Sequence, residues 1–188
     1  MTTQPPLVLL GGVPGAGKTA ALRAIAGIAP SVRIVDSDAV RHRLSRVVGW
    51  APYAVCRPFV HILAHCAILI QVLRRGGGPL IVHDPGTRWW SRRLLLWLAL
   101  QCGYCPAAVF IDIDRDSALD GQTLRGRVVR RHAFDRHWRR WNRMRARIAA
   151  GAPLSRGEEW PRLMMTTRVR AVEDVVILVG EKPVAEAW

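Results

Sequence analysis

Lysine is nearly missing from this chain. Of its 28 basic residues, all but Lys18 and Lys182 are arginine. Acidic residues are also scarce, 14 in 188 positions, and the net charge is +14. So few carboxylates leave a basic surface, which attracts nucleic acid and other phosphate-rich partners. A GC-rich coding sequence accounts for an arginine bias equally well. Cysteine is limited to Cys56, Cys66, Cys102 and Cys105. The last two have C-x-x-C spacing, but no second pair or histidine pair stands at zinc-finger distance. They read either as a redox motif or as ordinary thiols at the end of a helix. Apolar stretches such as Ala67–Ile70 and Leu94–Leu100 are far too short to span a bilayer. The opening Met-Thr-Thr-Gln-Pro-Pro has neither the basic start nor the apolar core of a secretory leader. A cytoplasmic chain without a membrane partner is expected. Half the residues are apolar, enough for a real core, and the length suits one domain over residues 1–188.

What is present begins at once. Leu7–Leu10 is an apolar, strand-like run, and Ala20–Ala29 has a helical pattern. Between them lie Gly12, Val13, Pro14, Gly15, Ala16, Gly17, Lys18 and Thr19, which fill the pattern G-x-x-x-x-G-K-[ST]. Glycines let successive N–H groups turn toward phosphate oxygens, and the helix that follows presents its positive end to the same anion. Lys18 then reaches the β- and γ-phosphates, and the Thr19 hydroxyl is a ligand for Mg²⁺. The chain is expected to bind a nucleoside triphosphate, with ATP and Mg²⁺ as cofactors.

Further β-type runs recur at Val32–Val35, Leu80–His83, Ala107–Ile113 and Leu163–Thr166. Helical patterns separate them at Ala39–Val47, Pro58–Arg75, Trp89–Gln101, Ser117–Leu124, His132–Ala150 and Val169–Val179. Strands alternating with helices predict a parallel sheet covered on both faces, a three-layer α/β sandwich. Ligands then sit at the carboxyl ends of the strands.

The turn after the second strand reads Asp36-Ser37-Asp38-Ala39-Val40-Arg41. Asp38 and Arg41 are three apart and share a face of a starting helix. A carboxylate there can accept a proton from an attacking hydroxyl, and an arginine can hold an anionic group on the acceptor. Capping by Asp36, Ser37 or Asp38 is the competing use. With the phosphate loop, Asp38-x-x-Arg41 resembles the P-loop kinases that phosphorylate hydroxyl groups. The pattern is similar to that of polynucleotide 5′-kinases, with zeta-toxin-like and antibiotic phosphotransferases as relatives, over about residues 7–145. The resemblance implies a five-stranded parallel sheet of order 2-3-1-4-5 with a helical lid near residues 121–150. It implies that Asp38 is the general base and Arg41 the contact to the acceptor.

Leu80–His83 ends in Asp84, whose place resembles the turn where the family arranges magnesium and acceptor. That implies substrate contact by Asp84 and contact with Mg²⁺ through water, against a turn-forming role before Pro85. The family's following Thr-Asn pair is absent from Asp84-Pro85-Gly86-Thr87. Arg92 stands where such kinases often carry a substrate-binding arginine. Arg125 and Arg127 fall in the lid segment, where arginines neutralise charge on the transferring phosphoryl group; a solvated basic turn is the competing reading. The family's earlier lid arginine would fall on Gly121. Arg168 follows the last strand, where related kinases pack a residue against adenine; use in a salt bridge is the equal alternative.

On the lid helix Phe134, Trp138, Trp141, Arg145 and Ile148 share a stripe that reads as a buried seam, while Arg136, Arg139, Arg140, Arg143 and Arg147 cover the other faces. Such a helix tracks a nucleic-acid backbone or simply faces solvent. His61 and His65 are four apart and read as a metal pair or, more in keeping with their apolar setting, as pocket or core residues. Lys18, Asp38, Arg125 and Arg127 are the expected catalytic residues. The expected activity is transfer of a γ-phosphate to a hydroxyl acceptor, a polynucleotide 5′-hydroxyl or a small nucleoside, sugar or antibiotic. A nucleotide-binding regulator with little catalysis is the other class.

Overall fold

A computed structural model describes residues 4–36, 53–74, 78–124, 126 and 129–180, without the side chains of 53–61 and 64. Its strands are β1 (Pro6–Gly12), β2 (Arg33–Asp36), β3 (Leu80–His83), β4 (Cys105–Asp112) and β5 (Arg162–Thr167). Its helices are α1 (Lys18–Ile28), α2 (Tyr53–Leu73), α3 (Trp89–Gln101), α4 (Arg115–Thr123), α5 (Arg131–Ala149) and α6 (Ala171–Leu178).

The sheet is parallel throughout, in the order β2-β3-β1-β4-β5. Leu7–Leu10, all of β3 and Pro106–Ile111 are buried, because helices cover both faces of the sheet. The chain steps from β1 to the β2 edge through α1 and then returns across the sheet. Right-handed crossovers therefore put α1 on one face and α2 and α3 on the other. The packing agrees: α1 lies against α6, and α2 against α3. The strand order puts the end of β1 between β3 and β4, the point where the winding reverses and a crevice opens.

The sequence predicted each of these elements, with differences at the ends. α2 starts at Tyr53 rather than Pro58. Pro58 therefore falls in the second turn, where it leaves the Ala54 carbonyl without its i+4 donor. α4 begins where the Asp114 carboxylate accepts the Ser117 N–H at 2.8 Å, a side-chain cap. The helix expected over Ala39–Val47 lies outside the described residues.

The inward seam of α5 holds Phe134, Trp141 and Met144, with Trp138 and Ile148 partly buried. Trp141 is tilted against Phe110 of β4 with ring centroids 5.6 Å apart, and its indole N–H donates to Asp112 at 3.2 Å. Arg145 is half exposed and reaches the same carboxylate at 3.1 Å. Arg136, Arg139, Arg140, Arg143 and Arg147 are exposed. Cys66, Cys102 and Cys105 are free thiols.

Candidate active site

The phosphate loop leaves β1 at Gly12 and enters α1 at Lys18. Gly12 donates its N–H to the Pro85 carbonyl at 3.2 Å, which ties the loop to the turn after β3. Ala16 N–H closes a turn on the Val13 carbonyl at 3.1 Å. Lys18 is only 6% exposed, and its ammonium donates to the carbonyls of Gly12 (2.7 Å) and Val13 (2.9 Å). The cation is thus held over the loop it closes. Thr19 sits in the first turn of α1.

The residue types in the loop follow from its close quarters. Gly15 has φ +91°, and a Cβ there would lie 1.9 Å from the Ala118 carbonyl oxygen. α4 therefore packs directly on the loop. Gly121 meets the same loop from the α4 side: its Cβ would lie 2.4 Å from the Gly15 oxygen. No side chain fits at 121 in this packing, which explains why the arginine of the resemblance has no counterpart there. The Arg168 guanidinium stands beside that space, donating to the carbonyls of Gly15 (3.0 Å) and Ser117 (3.3 Å). Its side chain also lies against Gly17. Arg168 thus shares the loop's outer side with α4.

Gln122 was not singled out in the sequence, yet it joins the loop to the segment before α5. Its amide donates to the Pro14 carbonyl at 3.4 Å, and its carbonyl accepts the Val129 N–H at 2.9 Å.

The ends of β2 and β3 form the neighbouring wall. Asp36 and His83 are register partners, and His83 Nδ1 lies 2.5 Å from the Asp36 carboxylate. His83 is 1% exposed, a packed and hydrogen-bonded histidine. The pair fixes the strand end two residues before Asp38. Asp84 is half-buried, and its Oδ1 accepts the Gly86 N–H at 2.8 Å, a turn-forming bond. Asp84 and Arg92 also line a cavity of about 20 Å³ between α2 and α3, with Leu9, Val82 and His65. His65 stacks on Trp90 of α3, ring centroids 5.1 Å apart.

Arg92 does not face the open crevice. Its guanidinium grips Glu158 through two bonds of 2.5 and 2.7 Å and donates to the Gly86 carbonyl at 2.7 Å. Both partners are buried. Ser155 (2.5 Å) and Trp160 (2.9 Å) complete the shell around Glu158. Burial raises the Glu158 pKa, but hydrogen bonds from Arg92, Ser155 and Trp160 outweigh it and leave the carboxyl below its ordinary value. Arg92 therefore supports the Asp84 turn from beneath.

A further residue of the wall is His137 of α5, whose Nδ1 lies 3.1 Å from the Thr87 hydroxyl. Burial, then the charges of Arg140, Lys18 and Arg88, push its pKa down to about 4 against a small opposing pull from Asp84. It is a neutral imidazole at the junction of α5, the phosphate loop and the β3 turn. Its spacing from Phe134 (i+3) and Trp141 (i+4) put it on the inward stripe, a signal readable in the sequence. Asp38, Arg41, Arg125 and Arg127 lie outside the described residues.

The phosphate loop, the strand order and the helices around them define a P-loop kinase-like protein. The chain belongs to the AAA domain family, which it matches over residues 7–150. No curated protein sequence matches it. Among solved structures it is similar to the tunicamycin resistance protein of Deinococcus radiodurans: TM-score 0.60 and 17% identity over 95% of this chain and 98% of that one. A gluconokinase from Sinorhizobium meliloti aligns with TM-score 0.58 and 17% identity, over 94% and 92%. A structure from the PezAT toxin-antitoxin system of Streptococcus pneumoniae aligns with TM-score 0.61 and 17% identity, over 90% and 69%. At such identity these likenesses concern the fold.

Proposed function

We propose that this chain is a cytoplasmic phosphotransferase that moves the γ-phosphate of ATP to a hydroxyl acceptor. The observation that carries the proposal is the buried Lys18 ammonium, held over a glycine loop whose Gly15 has no room for a side chain. Gly12 to Thr19 would hold the triphosphate, with Arg168 on the outer side of the loop toward the base. The Thr19 hydroxyl and Asp84 carboxylate are hard oxygen donors that suit Mg²⁺, Asp84 through water. When bound, Mg²⁺ neutralises charge on the phosphates. Asp38 accepts the acceptor's proton, Arg41 and Asp84 hold the acceptor, and Arg125 and Arg127 close over the transferring group. Arg92 takes the role of positioning Asp84 by gripping the Gly86 carbonyl.

Two acceptor classes are in view. The exposed arginines of α5 favour a polynucleotide 5′-hydroxyl. A small-molecule acceptor is the alternative, in keeping with the gluconokinase among the structures that share this fold. Purified protein, ATP and Mg²⁺ with a panel of 5′-hydroxyl oligonucleotides, nucleosides and sugars distinguishes them. Asp38→Asn is expected to keep nucleotide binding and to lose transfer by about 10²-fold or more. Equal rates in parent and variant refute the base role. Tight nucleotide binding with no transfer to any acceptor supports a regulatory protein instead.

A further inference from the structure

The outer face of the α2–α3 layer is apolar and uncovered among the described residues. Ile62, Ile70 and Leu73 of α2 are 58%, 54% and 55% exposed. Trp89, Trp97 and Leu100 of α3 are 58%, 57% and 51% exposed. Each triplet has the spacing i, i+8, i+11, which gathers three side chains into an arc of about 80°. Ile68 and Val72 of α2, and Arg92, Leu95 and Ala99 of α3, turn away from these stripes and are buried, and Leu96 is buried at the edge of the α3 stripe. The two helices touch, and the His65–Trp90 stack joins them, so the stripes run side by side on one layer. A monomer rarely leaves so much contiguous apolar surface without a use.

On the two helices themselves the charge has one sign. From residue 53 to 101 the sequence holds a single acidic residue, Asp84, which lies in the β3 turn and not on either helix. Arg93 stands 5.7 Å from the centre of the Trp89 ring, and Arg88 6.0 Å from that of Trp90. Arg74 is exposed at the end of α2. Arg93 lies within the α3 stripe, four residues from both Trp89 and Trp97, while Arg88 and Arg74 stand at the helix ends, so the face is apolar with arginine set among and beside its side chains.

A second copy of the chain is a poor match, since two such faces would set arginine against arginine with no carboxylate on either helix to pair them. Nucleic acid is a poor match too, since Ile62, Ile70, Leu73 and Leu100 offer no ring for a base to stack on. An anionic bilayer has the complementary profile: negative headgroups over a hydrocarbon layer. Tryptophan beside arginine is the pairing that settles at that boundary. Lying on a bilayer needs no spanning segment, so the shortness of the apolar runs is no obstacle. We propose that the α2–α3 face docks on an anionic lipid surface, with Trp89, Trp97 and Leu100 at the headgroup–acyl boundary and Arg74, Arg88 and Arg93 against lipid phosphates.

The test is flotation of the full chain with vesicles of phosphatidylcholine plus phosphatidylglycerol, and with vesicles of phosphatidylcholine alone. Binding is expected to the anionic vesicles, with a blue shift of tryptophan emission and weakening in high salt. A Trp89→Ser/Trp97→Ser/Leu100→Ser variant is expected to bind them at least about tenfold more weakly, while its affinity for ATP, checked by calorimetry, matches the parent's. No binding, or equal binding to both kinds of vesicle, overturns the proposal. Unchanged binding of the variant also overturns it, by assigning the attraction to basic surfaces elsewhere. A dimer in light scattering that the same variant dissolves assigns the face to a second copy and overturns it as well.

Discussion

The guanidinium of Arg92 and the carboxylate of Glu158 meet in a two-bonded fork at 2.5 and 2.7 Å, both buried, and the same guanidinium holds the Gly86 carbonyl at 2.7 Å. One ion pair thus joins the loop before β5 to the turn that carries Asp84. Taking away one partner leaves a buried charge without its opposite, a loss of about 3–5 kcal/mol. Glu158→Gln is expected to lower the stability measured by urea unfolding at neutral pH by that order. The carboxyl is held below its ordinary value, so its stabilisation is full above the ordinary carboxylate range and is lost as pH falls through the lowered value. Parent and variant are expected to converge in acid.

Gly15 supplies a second test. Its φ of +91° and the 1.9 Å approach of a Cβ to the Ala118 oxygen leave Gly15→Ala no relaxed position. The backbone strain alone is about 1–3 kcal/mol, and the loop must also part from α4. Calorimetry is expected to show nucleotide affinity down by about tenfold or more. Gly103→Ala is the control. Its φ is +76°, but nothing lies within 4 Å, so it is expected to lose stability without losing affinity.

His137 gives the molecule a dependence on pH. Its pKa stands at about 4, against an ordinary 6.5, so the unfolded chain binds the proton more readily. Stability is therefore complete above pH 6.5 and is lost as pH falls toward 4, by about 3 kcal/mol in all. Thermal midpoints of the parent are expected to drop across this window. Those of His137→Gln, which can still bond Thr87, are expected to drop less. Parallel curves assign the effect to other groups.

The phosphate loop was readable because its chemistry is local. Lys18 and the carbonyls of Gly12 and Val13 belong to one turn, so spacing alone brings them together. The alternation of apolar strands with helices was readable for the same reason, and so was the inward seam of α5, which follows from helical periodicity. Arg92 shows where such reading stops. Its place after Asp84 suggested a substrate arginine, but its partner Glu158 is 66 residues away. His83 and Asp36 are 47 apart, and His137 and Thr87 are 50 apart. No periodicity marks such pairs, because strand order brings them together.

By itself the sequence determined a glycine-rich loop of the phosphate-binding pattern, a parallel α/β sheet and a basic, carboxylate-poor chain, since backbone conformation, periodicity and composition are properties of neighbours along the chain. Only the tertiary structure decided which charges face solvent and which are spent on partners. It sank Arg92 onto Glu158, closed α4 over Gly15 through the bare Gly121, and, among the described residues, left the α2–α3 stripes uncovered. The reason is that burial and pairing depend on distances between remote segments, and these exist only once the strands have taken their order.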